Sequence, residues 1–473
     1  NETEKLNTMF ASGLVPDLVS APYWSTTGGE GKVIKEAAAQ GMLYDVTDLL
    51  DKYPNVKKLY EVGIAKDYLQ FDVDHPDFNG RRYVIPQQTP SDSPLDITNW
   101  TYGAYARGDI IKALGVDPTT ITSAEALYDL AVKIRDGGFL DTTGKPVIPM
   151  GTWHNGWSYG EFTDSFGKGY FISDYRQRED GTIYSWQFDD VEEQKLLYMR
   201  KLISDGLLDV ECFSNTDTMA KEKMAIGKIA IFGAQSMVGS LQPTLYATNP
   251  EMEFVLLGPM INQKGDIVTQ VEKKGRSGSP VLFLGAGTTK AEDTLRVLDY
   301  LNSDEGKLLA KWGIEGEHYT MNADGIPIYD PELKAKMDAD PKVRWNLGLD
   351  TFANQFIGAD DRTSKYPTPE DQKSYYDKLL DSFKAQLPIV QIDKVSVNYL
   401  TRDYEKLAEY QDAVSTLDYE AELRRAYFAA SDDEALKILA DARQRMLDAG
   451  AEGLWAHIQA RVASYPNPDE LGF

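Results

Sequence analysis

The chain has 473 residues, 42% of them hydrophobic, and carries 74 acidic against 49 basic side chains, for a formal charge of -25. Phosphate recognition needs concentrated Lys and Arg, so this balance argues against nucleic acid as a partner and against electrostatic docking on an anionic membrane. The length exceeds what one hydrophobic core usually serves, which predicts two lobes, and no apolar run approaches the roughly 18 residues that cross a bilayer.

The start, Asn1-Glu2-Thr3-Glu4, lacks the basic and apolar regions of a signal peptide, although a processed exported protein keeps no record of one. The lone Cys212 forbids an intramolecular disulfide and fits the cysteine-poor habit of exported bacterial proteins.

A first helix covers Leu6 to Ala11; Gly13 and Pro16 break it before the strand Leu18 to Ala21. A second helix, Gly31 to Gln40, ends at Gly41. Tyr83 to Ile85 reads as a strand closed by Pro86 and followed by a polar loop, and Trp100 to Ala106 reads as the next strand, ahead of a helix from Asp109 to Leu114. Thr122 and Glu125 form a capping-box pattern that opens a helix to Arg135. Met150 to Tyr170 is rich in Gly and aromatics. A helix from Val191 to Asp205 precedes strands at Ile229 to Phe232, Glu253 to Leu257 and Val281 to Leu284. From Asp293 to Ala310, Leu295, Leu298, Leu301, Leu308 and Leu309 recur at helical spacing, and Gly313 supplies a stop. Beyond residue 320 the pattern is mainly helical, with amphipathic spacing over Asp432 to Leu447 and Glu452 to Val462. Short strands alternating with helices predict parallel α/β architecture.

Signals for catalysis and metal binding are weak. The four histidines, His75, His154, His318 and His457, lie far apart, and the acidic turn Phe71 to Gly80 misses the calcium-loop spacing. Gly285-Ala286-Gly287-Thr288-Thr289-Lys290 sits between a strand and a helix but lacks a phosphate-loop pattern, so a tight turn is the better reading. Cys212 lies beside Asp209 and Glu211, which raise rather than lower a thiol pKa. Glu161 and Asp164, amid aromatics, are a carboxylate pair of the kind a glycoside hydrolase uses. The aromatic-polar segments say more. Sugar rings stack their C–H faces on Trp and Tyr while polar side chains hold the hydroxyls. Trp24-Ser25-Thr26, Gln87-Gln88, Trp153-His154-Asn155-Gly156-Trp157 and Gln235-Ser236 have that mixed character at element ends, where open α/β sheets bind ligands.

Several stretches resemble the extracellular solute-binding proteins, family 1, of ABC transporters. They are Leu6 to Val19 with its Ser12-Gly13 turn and Pro16-Asp17; Tyr83-Val84-Ile85-Pro86; Tyr102 to Gly115; Met224 to Ile231 with Gly227-Lys228; and Trp312-Gly313-Ile314-Glu315-Gly316-Glu317-His318-Tyr319-Thr320. The last is similar to a motif of the lipoprotein-type branch, which includes alginate and complex-saccharide binding proteins. The matches run in order from residue 6 to residue 320.

The resemblance implies an α/β fold of two hinged lobes with a helical C-terminal extension. One lobe takes 1–102 and 258–312 and apparently lacks its first strand; the other takes 103–257 and 313–473. It implies a monomer, free in the periplasm or lipid-anchored on the extracellular face, that captures an oligosaccharide between the lobes and delivers it to permease subunits, with no cofactor and no catalysis. Trp24 and Gln87 would line one wall and Trp153, His154 and Trp157 the other, with Gln235, Ser236 and Arg276 at the edge and Ser25, Gln88, Tyr102 and Arg107 as further ligand contacts. Relatives often carry a stacking Trp where this chain has Gln235-Ser236. The calcium loop of the alginate-binding relatives has too few carboxylates here, over Asp136 to Lys145, to carry its metal across. A peptide or a uronate, the latter if Arg107 and Arg276 both face the ligand, and a glycoside hydrolase built on Glu161 are the alternatives.

Overall fold

The computed structural model describes residues 2–21, 30–61, 78–86, 97–101, 103–153, 159–167, 175–233, 248–269, 281–349 and 404–463, with shorter stretches between them. The chain forms two compact units. One takes 1–97, 274–374 and 393–402; the other takes 98–273, 375–392 and 403–473.

In the first unit the helix Glu2–Ser12 stops at Gly13, whose φ of 69° lies in the left-handed region. The chain then turns into the strand Val19–Ala21. The fully buried strand Val281–Phe283 is central, antiparallel to Val19–Ala21 on one side and to Val84–Pro86 on the other. Ile34, Ala37 and Ala38 of the helix Glu30–Ala39, with Leu295 and Leu298 of the helix Ala291–Leu301, pack into the same core as Phe10 and Phe283. Their three- and four-residue spacing is the amphipathic pattern read from the sequence.

One long helix from Asp293 to Ala310 is expected, whereas the structure has two, Ala291–Leu301 and Asp304–Trp312. Asn302 and Ser303 break it. Asn302 Nδ2 donates to the Leu298 carbonyl, and Ser303 Oγ accepts the Gly306 N–H as a new N-cap.

The end of the second helix corrects the expected lobe boundaries. Trp312 is buried against Tyr319, Tyr329, Met337 and Leu349, with the Tyr329 ring 4.4 Å away between centroids. Gly313, at φ 88°, reverses the chain, and His318 Nδ1 accepts the Ile314 N–H at 2.9 Å. The segment after 312 therefore folds back on the helix that precedes it and stays in the first unit to 374. Residues 258–273 belong to the second unit, where Met260 and Val268 join the core. A Cβ on Gly313 would stand 2.4 Å from His318 Nδ1, in a backbone region L-residues rarely adopt. Gly313→Ala is expected to cost about 2 kcal/mol, read as a lower urea midpoint at unchanged slope; an unchanged midpoint would show that the turn tolerates a side chain.

The second unit is built on a four-stranded sheet in the order Ile148–Gly151, Ile229–Gly233, Ala104–Arg107, Phe254–Leu256. The first pair is parallel and the other two are antiparallel, so the sheet is mixed where alternation of strands and helices predicts parallel pairing. The expected strand from Trp100 to Ala106 divides at Gly103 into Ile97–Thr101 and Ala104–Arg107. The helix expected after Thr122 is capped one residue later: Ser123 Oγ accepts the Ala126 N–H, and the helix runs Ala124–Asp136.

The C-terminal helices complete this core. Leu423 and Ala426 of the helix Tyr419–Tyr427, and Ala435, Leu439 and Ala442 of the helix Asp432–Asp448, pack with Leu196 and Met199 of the helix Glu192–Ser204. Arg200 ties them down. Its Nη1 donates to the carbonyls of Ala426, Tyr427 and Ala429 at 2.9, 3.2 and 2.9 Å, while Nε meets Asp432 Oδ1 at 2.8 Å. Among the described residues no helix is long and apolar enough to cross a membrane.

Candidate functional site

The strand Ile148–Gly151 lies beside Ile229–Gly233 with Met150 opposite Ile231, and the Asp209 N–H donates to the Met150 carbonyl. Gly151 packs against Ile229, where an added Cβ would come within 3.0 Å of the side chain. The chain leaves this strand through buried Thr152 and half-buried Trp153. The Trp153 Nε1–H donates to Asp217 Oδ1 at 2.7 Å, and Asp217 Oδ2 pairs with Lys221 Nζ at 2.7 Å. Asp217 opens the helix Asp217–Ala225, which Thr216 caps by accepting the Met219 N–H. A capped helix thus fixes the carboxylate, and the carboxylate fixes one edge of the indole.

Gly156 rests on an aromatic group. At Gly156, φ is 77° and a Cβ would lie 2.6 Å from the Phe213 ring, so the backbone sits directly against that ring. Phe213 meets Tyr427 at 5.6 Å, Phe428 at 5.8 Å nearly perpendicular, and Tyr159 at 6.5 Å. Tyr159 also meets Tyr427 edge-on at 5.8 Å. Such tilted and edge-on pairs are the favoured geometries for ring quadrupoles. Phe428 is 53% exposed, so the group opens to solvent there.

Tyr159 Oη donates to Glu420 Oε2 at 3.2 Å. Surrounding protein raises the Glu420 carboxyl above its ordinary pKa, and the Tyr159 hydrogen bond and Arg424 only partly offset this. The same side chain keeps an exposed surface.

Of the side chains expected to contact ligand, Trp153 and Arg107 are described. Trp24, Ser25, Gln87, Gln88, Tyr102, His154, Trp157, Gln235, Ser236 and Arg276 lie outside the described residues. Arg107 is 2% exposed and engaged within its own unit. Nε and Nη2 grip Asp109 Oδ1 and Oδ2 at 3.0 and 2.6 Å, and Nη1 donates to the Leu140 and Gly227 carbonyls at 3.1 and 2.6 Å. This bidentate and carbonyl coordination gives Arg107 a structural role within its own unit. It also accounts for the Gly227-Lys228 motif: a Cβ on Gly227, at φ 67°, would stand 3.2 Å from Arg107 Nη1, and Lys228 Nζ donates to the Pro146 carbonyl.

Other sequence candidates prove structural. Thr288 Oγ1 and Lys290 Nζ both bind the Asp17 carboxylate, at 2.7 and 2.8 Å, so the Gly285 to Lys290 turn ties the N-terminal segment to a helix start. Burial raises the Cys212 thiol to about 12, against the lowering effect of its hydrogen bond with Thr152, so it stays protonated and inert at neutral pH. Glu161 and Asp164 are both buried, in successive short turns. In the loop from Asp136 to Lys145, burial pushes the Asp141 carboxyl up, but hydrogen bonds from the Thr143 hydroxyl and the Lys145 and Thr143 N–H groups prevail and bring it down to about 2. That carboxylate organises its own turn. The acidic turn is described only from Phe78 onward, and among the described residues no His, Cys, Asp and Glu cluster could hold a metal ion.

Sequence reasoning missed Phe213, Asp217, Glu420, Tyr427 and Phe428. Phe428 carried a usable signal, since an aromatic pair, Tyr427-Phe428, immediately precedes the Ala429-Ala430-Ser431 helix break. The others are joined to Trp153 and Tyr159 only through the fold.

No family model matches the sequence. An uncharacterised protein of Niallia circulans, in the butB 5' region, is 30% identical over 154 residues, which is 29% of this chain; the chain spans about half the length of that curated relative, 55%. Solved structures match over almost the whole chain. The alginate-binding protein AlgQ2 is 17% identical with a TM-score of 0.66, over 97% of this chain and 88% of its own. The substrate-binding protein FusA of the S. pneumoniae ABC transporter, in complex with kestose, is 17% identical with a TM-score of 0.64, over 98% and 90%. An HMO-binding solute-binding protein of Bifidobacterium longum infantis is 15% identical with a TM-score of 0.62, over 97% and 89%. These likenesses show the fold: the chain has the fold of ABC-transporter solute-binding proteins.

Proposed function

We propose that this chain is the ligand-capturing component of an ABC importer and that its ligand is an oligosaccharide. The observations that carry the reading are Trp153, pinned at the end of the strand Ile148–Gly151, and the aromatic group of Phe213, Tyr159, Tyr427 and exposed Phe428 in the same unit. Pre-oriented rings offer flat apolar faces to sugar C–H groups at little entropic cost, and the Tyr159 to Glu420 pair offers hydroxyl-binding groups beside them. The fold adds support, because the similar structures named above are described as binders of alginate, HMO and kestose.

On this reading the protein works outside the cell, as a monomer free in the periplasm or lipid-anchored at the membrane, and passes its ligand to permease subunits. Trp24, Ser25, Gln87, Gln88, Tyr102, His154, Trp157, Gln235, Ser236 and Arg276 remain proposed contacts. On the same reading, binding proceeds without turnover.

Calorimetry against an oligosaccharide panel tests the reading, with saturable heat and no release of reducing sugar on prolonged incubation as the expected result. Trp153→Ala is expected to weaken the best ligand about tenfold, the cost of one stacking face. Equal affinity in wild type and variant would remove Trp153 from the site. Sustained sugar release would replace capture by hydrolysis.

A further inference from the structure

Resting on the binding reading above, we infer that the ligand is an uncharged oligosaccharide, and that Glu420, beside Tyr159 and the aromatic group, selects against acidic sugars. An acidic sugar brings one carboxylate per uronate residue, and a site built for it presents a fixed cation, most often a bidentate guanidinium. In the second unit Lys221, Lys223, Arg200 and Arg107 already have partners. Lys221 is paired with Asp217, and Lys223 with Asp209 and Glu211. Arg200 holds three carbonyls and Asp432, and Arg107 holds Asp109 and two further carbonyls. Arg424 lies one helical turn from Glu420, whose carboxyl it draws down electrostatically.

Glu420 is hydrogen-bonded to Tyr159 of the aromatic group. It is reached by solvent, and the Tyr159 hydroxyl, donating to Oε2, fixes its orientation. A carboxylate in this position accepts hydrogen bonds from neutral sugar hydroxyls. It repels a uronate carboxylate of the same sign.

The test is calorimetry on the full chain at pH 7.5 with matched trisaccharides: maltotriose, kestose and xylotriose as neutral probes, mannuronate and galacturonate trimers as acidic ones. At least one neutral probe is expected to bind, with every acidic probe roughly a hundredfold weaker. Glu420→Gln, checked for an unchanged circular dichroism spectrum and melting point, is expected to narrow the neutral-to-acidic ratio at least about tenfold. A uronate trimer binding more tightly than all neutral probes overturns the inference and leaves oligosaccharide capture standing. An unchanged ratio in Glu420→Gln overturns the role of Glu420. Binding of neither class, with a tripeptide pool stabilising the protein instead, overturns the underlying reading.

Discussion

Gly306→Ala is expected to destabilise the first unit by about 3 kcal/mol, seen as a melting transition lowered by about 8 °C. A Cβ there would stand 2.0 Å from the Tyr300 carbonyl oxygen and 2.7 Å from Leu301 Cα, both backbone atoms. The Tyr300 carbonyl has no freedom to retreat, since it accepts from both the Ser303 N–H at 3.0 Å and the Ser303 hydroxyl at 2.6 Å. Relief requires the two helices to separate, which exposes Leu298 and Ala310 and breaks the Ser303 cap on Gly306. Ser303→Ala is a useful control because it removes the cap alone and should cost about 1 kcal/mol. A Gly306→Ala protein that melts with wild type would mean that the helix pair slides apart at no cost.

Arg200→Ala is expected to cost about 3 kcal/mol and to loosen the C-terminal helices from the second unit. The side chain reaches from the helix Glu192–Ser204 to the last carbonyls of the helix Tyr419–Tyr427 and to the first turn of the next helix at Asp432. Helix ends leave four carbonyls without internal partners, and one guanidinium here takes three from the chain reversal. Its removal strands those carbonyls where Arg200 itself is only 12% exposed. Hydrogen exchange at Leu423 to Tyr427 and Ala435 to Leu439 measures the loosening. Arg200→Lys should recover only part of the protection, because an ammonium cannot span the same fork. Undiminished protection in Arg200→Ala would assign the docking to apolar packing alone.

The sequence made the elements legible wherever periodicity and caps agree. The helices around Ile34, Leu127 and Leu439 fall where their apolar spacing puts them, and Gly13 and Gly115 end helices as their residue type suggests. Boundaries that depend on long-range packing were less legible. Nothing local in Trp312 to Thr320 announces that the indole will bury itself on Tyr329, so the familiar look of that stretch suggested a passage between lobes where the chain makes a turn inside one. At the site, Trp153 was readable as an aromatic in a strand-end loop. Asp217 and Glu420 were hidden among 74 acidic residues, since only the fold distinguishes a carboxylate that holds an indole from one that solvates a surface. Arg107 misled because an arginine pointing at a ligand and one gripping its own neighbour two residues on have the same letter in the sequence.

The core of the second unit joins Ala104 and Ile110 to Leu439 and Met446. During synthesis the sheet strands of this unit leave the ribosome long before the helices that cover them, and the whole intervening first-unit segment is made in between. Until residues 417–446 emerge, Leu196 and Met199 lack the partners that bury them in the finished protein. The second unit therefore completes its core only after its last helices are made, and a chain of this topology leaves part of that core open to chaperones for nearly the full time of its synthesis.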